Sequence, residues 1–279
     1  MMAADDIARP LANRARWGVL EMVFWAAAIG TLFLAPSRHL ILTQVAVLGL
    51  FALSLDLILG YAGILSLGQA AFFGLGADTA GLLAAHAVIT EPLLGVFPFD
   101  IAGHVAYAYS LSVLFVMFLL ARRLVNSPFG LSLRAIKANR LRCAAIGIAV
   151  DRRLIAIYTI AAGYAGIAGA LLTQTTQFAS LDVLGFERSA DVLLVLILGG
   201  PGYLYGGLIG ALVLTLVQDG LINLTARYWQ FWIGLALVII VLGGDPVRRL
   251  GASLGRAARR LSATRGSAQM VESRREAGR

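Results

Sequence analysis

The stretch "RRLVNSPFGLSLRAIKANRLRCAAIGIAVDRR", residues 122–153, separates two long apolar runs. It carries eight of the chain's 23 Lys and Arg residues and a single acid, Asp151. Around it the 279-residue chain is 59% apolar and only 14% charged, with a mean hydropathy of +0.83. That is too little charge to cover a water-facing surface, so the chain reads as a membrane protein. The net charge of +8 is not spread out. Three Arg at 9–16, the eight cations at 122–153 and nine Arg at 248–279 hold all but three of the 23. Cationic blocks between apolar runs mark loops on the cytoplasmic side of a membrane, not a nucleic-acid surface.

A helix rises 1.5 Å per residue, so about 20 apolar residues cross a hydrocarbon core. On that measure the candidate spans are 18–36, 40–59, 69–89, 101–121, 154–173, 190–200, 203–220 and 228–243. The expected fold is an all-α polytopic membrane protein of eight spans, two of them broken by glycine. The piece 190–200 is too short to cross alone. Taking 190–220 as one bent crossing would put the Arg-rich tail outside, so eight crossings are preferred. The expected organisation is a cytoplasmic segment 1–17, a membrane domain 18–245 with its cytoplasmic loop at 122–153, and a disordered basic tail 246–279 that meets anionic lipid heads. The N-terminal apolar run is long enough to remain as a helix, not a cleaved signal.

Within the loop, Ser127 suits an N-cap and Pro128 the first helical position, which predicts a helix over 128–142 with mixed apolar and cationic faces. Two glycine-rich stretches punctuate the spans: "LGYAGILSLGQAAFFGLGADTAGLL" at 59–83 and "LGGPGYLYGGLIGALVLTLV" at 198–217. Paired interruptions in the two halves of a membrane protein point to a transport path, because broken helices expose backbone to a solute. The candidate path residues are Gly60, Gly63, Ser66, Gly68, Gln69, Asp78, Gly199, Gly200 and Gly202. Any single glycine can equally serve only close helix packing, the role assigned to Gly163, Gly166 and Gly169.

An acid inside a span costs about 2.5–3.5 kcal/mol on insertion scales. Asp56 either bonds broken backbone near 60–69 or lies close enough to a span end to meet water. Asp78 is placed towards the interior, among Gly74, Gly76 and Thr79. Gln44 and Gln218 read as bonds between helices. The three histidines, His39, His86 and His104, stand apart, and no spacing supports a metal or a nucleophile. Cys143 is alone, so no internal disulfide forms. Neither a Walker lysine nor a catalytic constellation is present. The chain is therefore expected to be no enzyme and to bind no cofactor, and any ATP must sit on another chain.

Three motifs, "LGYAGILSLGQAAFFGLGADTAGLL", "SPFGLSLRAIKANRLRCAAIGI" and "LLVLILGGPGYLYGGLIGALVL", occur in this order. Together they resemble the LivM-type permeases of bacterial ABC importers for branched-chain amino acids, over residues 40–245. The resemblance implies a permease subunit in the bacterial inner membrane with both termini cytoplasmic. It implies a LivH-like second permease, two ABC ATPase subunits that hydrolyse the ATP, and a periplasmic substrate-binding protein. It makes the basic loop the ATPase-coupling element, through Arg134, Lys137, Arg140, Ala144, Ala145 and Gly147. The chain departs from the pattern where Asp56 replaces a usual Asn, Gln69 a usual His and Asp78 a usual aromatic. It is also shorter in the middle, where "HAVITEPLLGVFPFDIAGHVAYAY" leads straight to the next span. The alternative from the residues alone is an ion-coupled secondary transporter or channel that uses Asp56 or Asp78.

Overall fold

The computed structural model describes residues 19–34, 38–87, 104–176, 184–224 and Gly234. The chain divides into two units, 1–220 and 221–279, and the helical bundle belongs to the first. The expected eighth span, the segment 1–17 and the basic tail lie outside the described residues. Nine α-helices and no strands are described: α1 (Val19–Leu34), α2 (His39–Leu55), α3 (Gln69–Ala87), α4 (His104–Val125), α5 (Pro128–Ala138), α6 (Arg140–Ala145), α7 (Val150–Thr176), α8 (Phe186–Gly199) and α9 (Leu204–Leu224).

The centre of the bundle is α2, which continues into a π-helical turn over Asp56–Ala62. Its sequence is apolar nearly all round, as a largely enclosed helix requires, with Leu40 and Gln44 left exposed. Leu50, Leu53, Leu55, Leu57 and Ile58 are completely buried, with α4, α7 and α8 packed around them. Gly63, at φ 75°, ends the run, its N–H donating back to Ile58 O, a left-handed terminus that glycine adopts without a Cβ penalty. The 24 residues of His39–Ala62 reach about 36 Å, a full bilayer core, before that stop.

Among the described residues three helices are long and apolar enough to cross a membrane: His39–Ala62, His104–Val125 and Val150–Thr176. A fourth candidate is α8 with α9, bent by 111° at Gly199–Leu204, which is either a broken span or a re-entrant loop. Against the eight spans expected, the described residues thus hold three or four candidates. α1 has 16 residues, too few to cross alone, and Gln69, Asp78 and His86 lower the hydropathy of α3.

α3 and α7 make the closest pair. Gly76 lies against the backbone of Gly166, and Gly169 against the carbonyl of Phe73, so neither has room for a Cβ. Thr173 Oγ1 donates to Ala77 O at 3.0 Å on the same seam. α1 lies along α4, joined by the Arg122–Glu21 ion pair at 2.7 Å and by Tyr107 OH donating to Ala28 O at 3.0 Å.

The loop after α4 is helical, as its caps predict, but in two pieces. Ser127 Oγ accepts from Gly130 N at 3.4 Å and Pro128 opens α5. The helix stops at Asn139 instead of running to 142. Asn139 is extended (φ −159°, ψ 102°), and its Oδ1 accepts from Arg142 N at 2.9 Å to start α6. An Asn side chain that bonds nearby backbone competes with helix continuation. Asn139→Ala is expected to cost about 1 kcal/mol of local stability. The check is hydrogen exchange, faster by roughly fivefold across Arg140–Ala145 and unchanged in α2.

Candidate functional site

The two glycine-rich breaks, 140 residues apart in sequence, meet at the end of the bundle that carries the basic loop. Asp56 Oδ1 accepts from Gly202 N at 2.7 Å. Asp56 is completely buried. Gly60, one helical turn on, has no side chain because that volume is taken: a Cβ there would fall on the Asp56 carboxyl and 2.6 Å from Gly202 N. Gly200 and Gly202 hold φ of 88° and 92°, so the turn between α8 and α9 can point its amide at Asp56. Gly199 packs on the Gly206 carbonyl across the same turn.

The loop helix α5 closes this junction from outside the bundle. Lys137 Nζ donates to Gly60 O at 2.6 Å. Its stem lies on Gly63, where an added Cβ would be 2.9 Å from Lys137 Cγ. Arg134 sits over the Tyr61 ring at 5.2 Å, an attractive cation–π distance. Leu133 and Ile136, on the adjoining face of α5, are buried. Beside the junction an open cleft of about 680 Å³ is lined by Tyr61, Arg122, Arg134, Lys137 and Tyr203 among others.

The structure separates the loop residues into two groups. Arg134 and Lys137 turn towards the glycine breaks. Arg140, Ala144, Ala145 and Gly147 are exposed, with Leu141 84% and Ile146 70% exposed among them. Gly147 has a φ of 85°. Cys143 is buried at the base of α6, as expected of a lone small apolar residue.

The remaining path candidates are spread more widely. Ser66 is buried and its hydroxyl lies 3.2 Å from Tyr158 OH on α7. Gly68 is exposed, and its carbonyl accepts from Ala71 N at 3.2 Å. Gln69 is completely buried and its amide finds no hydrogen-bond partner among the described residues. Asp78 is half-buried on α3, roughly 14 Å along the axis from Gln69.

Several residues of this region give little sign of themselves in the sequence. Ser189, on α8, accepts from Ala70 N at 3.1 Å and so caps α3 from another helix. Arg188 and Asp191 read as a polar flank before an apolar run, yet both line a cavity of about 200 Å³. Opposite charges three residues apart at the head of an apolar run were the available signal. His39 and His104 stand 65 positions apart, yet their ring centroids are 4.0 Å apart at the other end of the bundle.

The described residues thus form a helical bundle whose basic loop is tied to the two glycine breaks. The chain belongs to the family described as "branched-chain amino acid transport system / permease component", which matches residues 90–242. It is similar to the high-affinity branched-chain amino acid transport system permease protein LivM of Salmonella typhimurium, with 28% identity over 146 residues, 52% of this chain and 34% of the relative. The ribose import permease protein RbsC of Bacillus subtilis is 30% identical over 42% of this chain and 38% of its own. The autoinducer 2 import system permease protein LsrC of an Enterobacter species is 30% identical over 66% of this chain and 52% of its own. The match thus spans from a third to about half of these relatives' length. No solved structure matches the chain.

Proposed function

We propose that this chain is the membrane-spanning permease subunit of a bacterial ABC importer for branched-chain amino acids or related small polar solutes. It binds no nucleotide itself. Two partner ABC ATPase subunits hydrolyse the ATP, a LivH-like permease completes the membrane path, and a periplasmic binding protein delivers the solute. Family membership supports the class, and the LivM relative supports the solute.

The observation that carries the mechanism is the two-faced loop. Its inner face is bonded to the glycine breaks through Lys137 and Gly60, and through Asp56 to Gly202. Its outer face presents Arg140, Leu141 and Ile146 to a partner. Exposed apolar side chains ringed by cations suit a protein–protein contact. A push on α6 passes into α5, and from α5 into the turn where α8 meets α9. The ion-coupled alternative would need an acid within a path. Asp56 Oδ1 is taken by the Gly202 amide, and the similar permeases give that alternative no support.

The test is Leu141→Asp combined with Arg140→Glu in the assembled transporter. Both side chains are exposed, so the spans should melt as in the wild type. Loss of one interface anchor is worth about 2 kcal/mol or more, so solute-stimulated ATP hydrolysis should fall by roughly tenfold or more. Unchanged coupling would remove the loop from its assigned role.

A further inference from the structure

The α8–α9 hairpin carries the junction at its tip and a cavity of mixed lining at its open end. That cavity, about 200 Å³, lies between α2, α8 and α9, with Phe73 of α3 and Leu172 of α7 completing its wall. Arg188 and Asp191 contribute one cation and one anion, three residues apart and so on one face of α8. Arg188 acts on Asp191 electrostatically, but among the described residues no direct ion pair closes between them across the space both line. Gln44 from α2 and Gln218 and Thr215 from α9 add neutral donors and acceptors. The remaining wall is apolar: Phe51 and Phe73 stack with centroids 4.4 Å apart, next to Leu172.

Arg188 is exposed and Asp191 half-buried, whereas Phe51, Phe73 and Thr215 are buried. The charges therefore stand at the mouth and the aromatic rings at the floor. Gln44 lies in the second turn of α2, away from the basic loop. The mouth thus belongs to the half of the bundle opposite the junction.

We infer that this cavity is a binding site for a zwitterionic amino acid with an apolar side chain. The carboxylate meets Arg188, the ammonium meets Asp191, and the side chain lies on Phe51 and Phe73. The inference rests on reading the chain as an importer's permease and adds where the solute sits and what selects it. A site built with two opposite charges discriminates sharply, because a ligand lacking either leaves a partly desolvated charge without its partner. A neutral sugar leaves both. The volume is far above what a single water needs and small enough to demand a compact solute. Arg188 and Gly199 are separated by roughly 16 Å along α8. A shift of the tip at Gly202 therefore moves one wall of the cavity against α2, which couples release of the solute to the loop.

The experiment is equilibrium binding of radiolabelled L-leucine to the purified full chain in lipid nanodiscs. The competitors are leucinol, which lacks the carboxylate, 4-methylpentanoate, which lacks the ammonium, and D-ribose, which has neither. Leucine should compete best, each half-ligand at least about tenfold worse, and ribose not measurably. In Arg188→Gln, leucine should weaken at least tenfold while leucinol is unchanged. In Asp191→Asn, leucine should weaken while 4-methylpentanoate is unchanged. A merely structural role would weaken every ligand alike, and that result overturns the site. So does leucinol or ribose competing as well as leucine in the wild type, a comparison that needs no variant to fold. Absent leucine binding with loop-dependent ATP hydrolysis intact overturns the site and leaves the permease reading standing. Selective leucine binding with ATP coupling absent supports the site and counts against the importer.

Discussion

Gly169→Ala is expected to destabilise the bundle more than any other single methyl added to α7, while Gly163→Ala is expected to be neutral or slightly stabilising. A Cβ on Gly169 would overlap the Phe73 carbonyl and reach 3.0 Å from Ala77 N. Both obstacles are backbone of α3, which cannot rotate away as a flexible side chain would. The helices must therefore part along a seam that also holds the Thr173–Ala77 hydrogen bond. Forced overpacking of this kind costs about 1–3 kcal/mol, and losing the interhelical bond adds to it. Gly163, on the same helix, meets nothing within 4 Å. There alanine only gains the helix preference of about 1 kcal/mol over glycine. Gly166 is intermediate: its Cβ would stand at ordinary contact distance, 3.6 Å, from Phe72 O. The measurement is thermal unfolding of the purified chain in detergent. A Gly169→Ala protein that melts with the Gly163→Ala protein would show that α3 and α7 do not approach as described.

That ordering was only half legible in the sequence. The three glycines of α7 could be assigned to packing as a group, since small residues repeated in a span bring backbones together. Which of them faces α3 depends on the rotation of α7 against a helix some 90 positions away, and no local pattern encodes it. The loop shows the same division. Ser127 and Pro128 announce the start of α5 because capping is a local event. The stop at Asn139 is also local, but a single Asn within "RAIKANRLRCAA" looks like a tolerated helix residue until its extended backbone is seen.

The candidate site was legible as composition and not as place. The glycine breaks were readable as breaks. Their position at the loop end of the bundle follows from the unbroken length of His39–Ala62, extended by a π-helical turn that apolar periodicity does not reveal. Lys137 was readable as one more cation of a basic block facing a partner. Only the fold shows that the sole lysine of the chain bonds inward to Gly60. Charge pattern reports which face of the membrane a loop occupies. It does not report which side of that loop's own helix a particular charge takes.

Asp56→Leu is expected to uncouple the loop from the hairpin, with Asp56→Asn far milder. Asp56 supplies the acceptor for Gly202 N at 2.7 Å from a completely buried position. Leucine removes that acceptor and leaves the amide at the hairpin tip without it, a loss of about 1.5–3 kcal/mol for a bond to an acidic side chain. Its branched end must also fit where Gly60 and Gly202 already close on the carboxyl, so strain adds to the lost bond. The Lys137–Gly60 tie sits on the next turn of the same helix and is disturbed with it. Asparagine keeps an oxygen at the position of Oδ1 and nearly the same shape, so the tie to Gly202 survives. In the assembled transporter, Asp56→Asn should retain at least about half of ATP-driven uptake, whereas Asp56→Leu should fall by tenfold or more. Its partners' ATP hydrolysis should persist without solute dependence, because the docking face on α6 is untouched. Equal uptake by the Leu and Asn variants would show that the bond between Asp56 and Gly202 transmits nothing.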